Sequence, residues 1–277
     1  MWRTFGFKEI KKILDKQLRA QVFPHAYLFA GAAGIGKKTL ALEFSEKILN
    51  TQTLNNHPDF RMLEPEGEVG VEQIRNLIAG LNFKPLLGAH KVCIINNTES
   101  LSQQALNALL KTLEEPSSST IIILIAKSRR PLPTLESRCQ VLFFNRLTHN
   151  ELRNFAKEQR LKVAEETFIL SFGSVGRMRQ FLADTEDLES SRQQIKQFRE
   201  LKSSPLADRL LAIPILAELE ESDLRQVLLV WLEQARDELR TSGQELLRIF
   251  GGIYSALQDL ATNKNRKLIL QELFLKF

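Results

Sequence analysis

The sequence contains few cysteines and no long apolar run, and each shortage excludes a class of protein. Among 277 residues there are two cysteines, Cys93 and Cys139, too few for a disulfide framework or a four-cysteine zinc site. No uncharged stretch approaches the roughly 18 residues of a membrane-spanning helix, and the first residues lack the apolar core of a signal peptide. We therefore expect reduced, buried thiols, a cytoplasmic location and no membrane partner.

Histidine is also scarce, and the charge is only mildly unbalanced. The four histidines show no metal-ligand spacing, so the sequence predicts no metal site; they are His25, His57, His90 and His149. The net charge of +5 permits contact with nucleic acid but does not demonstrate it, because lysine and arginine are spread along the chain. The hydrophobic fraction of 43% is ordinary for a globular protein.

Short apolar runs alternate with helical patterns in the first half of the chain. Apolar runs predict buried strands at 26–30, 91–95, 121–125 and 141–144, and a short strand at 61–63. Apolar residues at steps of three and four predict helices at 8–20, 39–49 and 71–81, and another that ends before Pro116. This alternation predicts an α/β fold with a mainly parallel, covered sheet.

After Phe144 the pattern is helical to the last residue. Thr148 and Glu151 fit a capping box at the start of the first of these helices. The polar stretch Asp184–Ser191 is expected to be a linker. Two apolar stripes predict a helical bundle beyond it: Leu224, Val227, Leu228, Trp231 and Ala235, then Leu246, Leu247, Phe250, Ile253, Tyr254 and Leu257. The predicted domains are an α/β base over 1–146, a helical lid over 147–187 and an all-α domain over 188–277.

A glycine-rich loop lies between the first predicted strand and the next helix. Gly31, Gly34, Gly36 and Lys37 match the pattern G-x-x-x-x-G-K in the strand–loop–helix context that the pattern requires. The glycines allow backbone N–H groups to converge on phosphate oxygens, and Lys37 can reach the β- and γ-phosphates. The alternative is a glycine turn that merely links strand to helix. The context favours phosphate binding.

The residues that would bind Mg²⁺ and activate water are missing. Lys38 stands where the pattern needs a serine or threonine hydroxyl, and Thr39 comes one residue late, about 100° around the helix. Asn96 and Asn97 follow the strand that should end in carboxylates, and an amide can neither carry the charge nor act as a base. We expect no significant intrinsic ATPase activity; ATP or ADP could still be bound without hydrolysis.

Five motifs together resemble a known family. They are Pro24–Phe29, the glycine loop, His57-Pro58-Asp59, Asn107–Pro116 and Ser137-Arg138-Cys139. In this order they are similar to the bacterial clamp-loader members of the AAA+ class, above all the delta-prime branch of DNA polymerase III, over about residues 5–180. The resemblance implies a RecA-like base, a helical lid and a collar that joins a pentamer. It also implies three kinds of partner: gamma/tau and delta subunits, the sliding clamp, and primed DNA.

The resemblance also assigns roles to single residues. It implies that Arg138 projects into the ATP site of a neighbouring subunit, where an arginine in trans neutralises charge on the transferring phosphoryl group. The alternative is a solvated arginine in a turn. Arg177 matches a second sensor position but could equally be a surface arginine on a lid helix, and Ser128 is a weaker sensor candidate. The zinc module of many relatives is not carried over, because its cysteines are missing.

Three functions remain open at this point. The first is a non-hydrolysing delta-prime-type subunit that helps load the sliding clamp and supplies Arg138 in trans. The second is a catalytically active gamma/tau-type ATPase, against which Lys38, Asn96 and Asn97 argue; a tau-like chain would also be expected to continue past Phe277. The third is a stand-alone enzyme such as a small kinase, which the Ser-Arg-Cys motif and the helical tail disfavour.

Overall fold

Five apolar segments form one parallel sheet in the computed structural model, which describes residues 2–81, 83–117, 119–128, 132–239, 245–260, 262 and 264–277. The strands are β1 (Ala26–Ala30), β2 (Phe60–Leu63), β3 (Lys91–Asn96), β4 (Thr120–Ala126) and β5 (Gln140–Phe143). Their order is β2-β3-β4-β1-β5, and every pair is parallel. Strands β1 and β4 are buried throughout, as continuous apolar runs in a covered sheet should be. The predicted fold class is confirmed.

Helices cover both faces of this sheet. The helices of the first 158 residues are α1 (Lys8–Ala20), α2 (Lys37–Ile48), α3 (Val71–Leu81), α4 (Gln103–Glu114), α5 (Pro133–Glu136) and α6 (His149–Glu158), with a 3₁₀ turn at Thr98–Ser100. Leu14 of α1 and Phe44 of α2 pack on one face, and Ile74 of α3 and Leu109 of α4 belong to a second core cluster with the alternate strand residues. The capping box of Thr148 and Glu151 is present at α6.

The rest of the described chain is helical. Its helices are α7 (Glu165–Leu170), α8 (Val175–Ala183), α9 (Thr185–Ser203), α10 (Leu206–Leu211), α11 (Ile213–Ala217), α12 (Glu221–Glu238), α13 (Glu245–Leu260) and α14 (Arg266–Phe274). Trp231 of α12 lies at the centre of their core against Phe198 and Phe274. Its indole N–H donates to the carbonyl of Gln194 at 2.9 Å, so the buried ring has its polar atom satisfied.

The predicted linker Asp184–Ser191 is wrong. Asp184 caps α9, because its carboxylate accepts the backbone N–H groups of Glu186 and Asp187 at 2.9 and 3.2 Å. Ser191 is buried in the same helix, so the polar stretch is the first turns of an amphipathic helix.

The second predicted apolar stripe is wrong in part. Leu247 and Tyr254 are more than half exposed, whereas Ile249 and Ala256 are buried with Leu246, Ile253 and Leu257. The buried face of α13 is therefore rotated relative to the stripe predicted from the spacing of apolar residues.

The chain divides into two compact units. The base unit comprises Met1–Lys162 with Gly173–Arg177, and the helical unit comprises Val163–Phe172 with Met178–Phe277. This division differs from the predicted bounds 1–146, 147–187 and 188–277, which stay a prediction. Cys93 is buried and Cys139 partly buried; both thiols are free, and burial raises the pKa of each to about 12. No helix in the described part of the chain is long and apolar enough to cross a membrane.

Candidate functional site

The glycine loop starts at the carboxyl end of β1 and leads into α2. Its conformation favours glycine, and two positions also leave no room for a side chain. A Cβ atom on Gly31 would lie 2.5 Å from the carbonyl oxygen of Phe144, which follows β5. Gly34 has φ +71°, and a Cβ atom there would lie 2.6 Å from Ser174 Oγ. Two other segments of the same chain, at Phe144 and Ser174, therefore pack against the loop.

Lys37 is turned into this loop. Its side chain is 4% exposed, and its ammonium donates to the carbonyl oxygens of Gly31, at 2.6 Å, and Ala32. Burial lowers the pKa of Lys37 to about 8, against the opposing attraction of Glu99. The structure thus places a buried, titratable cation inside the glycine loop.

Lys38 points to a carboxylate that sequence reasoning missed. Its ammonium contacts both oxygens of Glu64, at 2.5 and 2.6 Å, and Asn96 donates its amide N–H to Glu64 Oε1 at 3.2 Å. Glu64 directly follows β2, and β2 pairs with β3, which ends in Asn96. The carboxyl ends of adjacent parallel strands meet at one edge, so an acidic residue after β2 was the available signal. Thr39 is exposed and takes no part in this cluster.

Asn97 and Glu99 are used by the local backbone. Asn97 adopts φ +58°, a conformation that asparagine tolerates, and its amide donates to Ser100 Oγ in the 3₁₀ turn. Glu99 Oε1 accepts the backbone N–H groups of Lys127 and Ser128, at 2.6 and 3.0 Å, just beyond β4. The carboxylate of Glu99 therefore fixes the segment that contains the weaker sensor candidate Ser128.

The residues at this edge do not fit Mg²⁺. The ion needs a near-octahedral shell of oxygen ligands, commonly including one or two carboxylates. Position 38 offers an ammonium, Asn96 turns its nitrogen to Glu64, and Glu64 is already paired with Lys38. Within the described ranges, no group of three or more His, Cys, Asp or Glu side chains could hold a metal ion.

Arg138 lies at the opposite end of the parallel strands, the amino edge, where the strands begin. It follows α5 and precedes β5, whose first residue, Gln140, pairs with Tyr27 near the start of β1. Its guanidinium donates to Glu114 Oε1 from Nε at 3.0 Å, and to the carbonyl of Thr134 at 3.0 Å. The strand of five residues between the two edges separates Arg138 from the glycine loop by roughly 13–16 Å, at about 3.3 Å per residue.

Arg177 belongs to the base unit and lies beside the glycine loop. The backbone N–H of Gly176 donates to the carbonyl of Gly34 at 2.9 Å, and that of Arg177 donates to Ser174 Oγ at 3.2 Å. The structure therefore brings the candidate sensor residue close to the loop. Its role as a sensor stays a prediction.

An exposed apolar loop at residues 83–87 is a feature that the sequence did not reveal. Asp59, in the His-Pro-Asp motif, is 1% exposed and accepts the backbone N–H groups of Leu86 and Leu87 at 2.7 and 2.8 Å. Burial raises the pKa of Asp59, but these hydrogen bonds lower it by more, so the pKa lies below its usual value. The ionised carboxylate thus fixes a loop that exposes Phe83, Leu86 and Leu87 to solvent.

Comparison with known proteins gives a consistent set of relatives. Residues 6–148, just over half of the chain, match the protein family described as DNA polymerase III, delta subunit. The chain is 37% identical to the delta-prime subunit of Pseudomonas aeruginosa over 42% of its length and 41% of that protein. It is 31% identical to the tau subunit of Bacillus subtilis over 64% of its length and 36% of that protein. The chain thus spans less than half of these relatives.

A solved structure is similar over nearly the whole chain. It is a DNA polymerase III gamma subunit-related protein from Thermotoga maritima, with a TM-score of 0.53, 21% identity and coverage of 97% of each chain. At this identity the likeness concerns the fold alone.

Proposed function

We propose that this chain, which belongs to the DNA polymerase III delta subunit family, is a non-hydrolysing clamp-loader subunit of the delta-prime type. In this role it assembles with gamma/tau and delta subunits, helps to place the sliding clamp on primed DNA, and completes the ATP site of a neighbour with Arg138. The work of such a replication protein implies a cytoplasmic location.

The cluster of Lys38, Glu64 and Asn96 is the observation that carries the non-hydrolysing part of this proposal. Hydrolysis in a P-loop ATPase needs a hydroxyl and a carboxylate on Mg²⁺ and a group that orients water. The first two positions are an ammonium and an amide bound to Glu64, and Asn97 is turned to Ser100. Each change affects the chemistry and leaves the glycine loop intact.

The position of Arg138 supports action in trans. The carboxyl edge of the sheet carries the glycine loop, and Arg138 lies at the amino edge. One arginine side chain is too short to span the roughly 13–16 Å between these edges. Arg138 cannot serve its own loop, whereas a neighbouring subunit that docks against the amino edge would bring its nucleotide within reach.

Two apolar surfaces support the proposed partners. The fixed loop at residues 83–87 exposes Phe83, Leu86 and Leu87, and we assign the sliding clamp to it. In the helical unit, Leu211, Ile215 and Leu247 are each more than half exposed, and we assign the other loader subunits to these side chains. Primed DNA is a partner through the assembled complex.

The alternative is an active gamma/tau-type ATPase, and the similarity to the Bacillus tau subunit favours it. Steady-state ATP hydrolysis by the isolated chain separates the two. We expect the rate of the wild-type chain to equal that of Lys37→Ala, because neither can place Mg²⁺ at the phosphates. Turnover clearly above the Lys37→Ala background would favour the active ATPase.

A further inference from the structure

We propose that the ammonium of Lys38 takes the place of Mg²⁺, so that the glycine loop binds the polyphosphate of a nucleoside di- or triphosphate without a divalent metal. The inference goes beyond the proposed function and rests only on reading the glycine loop as a phosphate site. It assigns to Lys38 and Glu64 a role that the motif pattern gives to a hydroxyl and a metal ion.

Charge balance at the edge of the sheet is the first argument. Glu64 carries one negative charge, Lys38 one positive charge, and Asn96 none, so the cluster is neutral before any ligand arrives. A divalent cation would meet no uncompensated negative charge there and would lie close to an ammonium. Lys37 adds a positive charge inside the loop, so the site as a whole attracts an anion.

Hydrogen-bonding capacity is the second argument. An ammonium has three N–H donors, and the two oxygens of Glu64 accept two of those on Lys38. One donor remains for a phosphate oxygen. Glu64 also accepts the amide N–H of Asn96, so the cluster directs the ammonium to this end of the strands without adding a net positive charge to the isolated loop.

Access is the third argument. Lys38 and Glu64 have side chains 42% and 50% exposed, so a ligand can reach the pair from solvent. Lys38 lies in the first turn of α2, beside Lys37, where the helix N-terminus favours an anion. The ammonium donates to a phosphate oxygen without ligating a nucleophilic water, so the bound nucleotide stays intact.

The test compares nucleotide affinity with and without Mg²⁺. ADP and ATP are titrated into the full chain by calorimetry, once in excess Mg²⁺ and once in excess EDTA. We expect the dissociation constants in the two buffers to agree within about twofold, and Lys37→Ala to abolish binding in both. A loss of affinity of about tenfold or more in EDTA, or no binding in either buffer, would overturn the proposal.

A gain-of-function variant gives an independent readout. Lys38→Thr combined with Asn96→Asp restores a hydroxyl and a carboxylate, so nucleotide affinity should become at least about tenfold stronger in Mg²⁺ than in EDTA. Thermal unfolding without nucleotide checks that the variant is folded. Metal-independent affinity in a folded double variant would contradict the assignment of Lys38. The proposed clamp-loader role is judged separately, by clamp loading with Arg138 variants.

Discussion

Arg138 and Glu114, which are 24 residues apart in the chain, form an ion pair at the amino edge of the sheet in the base unit. Their side chains are 30% and 50% exposed, so the pair is partly solvated. Such pairs contribute about 0–1 kcal/mol to stability. Glu114 thus orients the guanidinium, and breaking the ion pair costs little free energy. A phosphate group from a neighbouring subunit can therefore compete with Glu114 for the guanidinium.

Glu114 is expected to act as a positioning residue for Arg138. In the reconstituted loader, Glu114→Gln should lower clamp-dependent ATP turnover by a few-fold, because the guanidinium loses its fixed orientation, while the melting temperature stays nearly unchanged. Combining Glu114→Gln with Arg138→Ala should give the turnover of Arg138→Ala alone. Additive losses in this double-mutant cycle would mean that Glu114 acts independently of Arg138.

Leu87 is expected to contribute to clamp binding without contributing to stability. It is 72% exposed, so Leu87→Ser should leave the free energy of unfolding within about 0.5 kcal/mol of wild type. Affinity of the isolated chain for the sliding clamp should fall about tenfold, as for loss of one apolar anchor. Leu211→Ser is the matched control, since Leu211 is 73% exposed but lies in the helical unit. Equal clamp affinity of the two variants would contradict the assignment.

Glu43 is expected to make stability depend on acidic pH. Burial acts to raise the pKa of Glu43, but hydrogen bonds from Arg3 and Thr4 outweigh it and hold the pKa below its usual value. A lowered folded pKa contributes stability that is present above the unfolded pKa, about 4.3, and is lost as the pH falls through the folded pKa. Glu43→Gln should lose about 1–3 kcal/mol at neutral pH and much less in acid.

Urea unfolding at neutral and acidic pH measures this difference. Glu46→Gln is the control from the same helix, because Glu46 pairs with the Arg3 side chain, which is 67% exposed, and the loss should cost at most about 1 kcal/mol. A cost for Glu43→Gln that does not change with pH would contradict the account.

Lys37 is expected to make phosphate affinity fall in mild alkali. With burial lowering its pKa to about 8, the ammonium form that attracts phosphate is lost from the free protein as the pH rises above that value. ADP affinity should therefore weaken between about pH 7 and about pH 9, while the affinity of Lys37→Arg, which stays charged, should not change over this range. The folding stability of the free chain has the opposite pH dependence. It rises with pH between the folded pKa of Lys37 and the unfolded value of about 10.4, because the unfolded chain binds more protons in that range.

The elements of this fold could be predicted from sequence because their signals are local. Apolar periodicity, glycine and proline locate the strands and most helices of the base unit within a residue or two. The misread linker at Asp184 shows the limit of composition, since a helix with a narrow buried face is mostly polar. Glu64 and Glu114 were missed because their partners, Lys38 and Arg138, are 26 and 24 residues away. The folded topology brings each pair together, and local sequence patterns do not reveal it.

The measurement that tests the central claim most directly is clamp loading by reconstituted complexes that differ only at Arg138. Loss of a trans arginine costs about 10³–10⁵ in hydrolysis rate at the one ATP site it serves, so total turnover falls less than loading does. We expect Arg138→Ala to assemble normally but load poorly, and Arg138→Lys to rescue little, because lysine lacks the planar fork. Arg192→Ala, which removes another ion-paired arginine, should load like wild type. Equal loading by the Arg138→Ala and wild-type complexes would contradict the account.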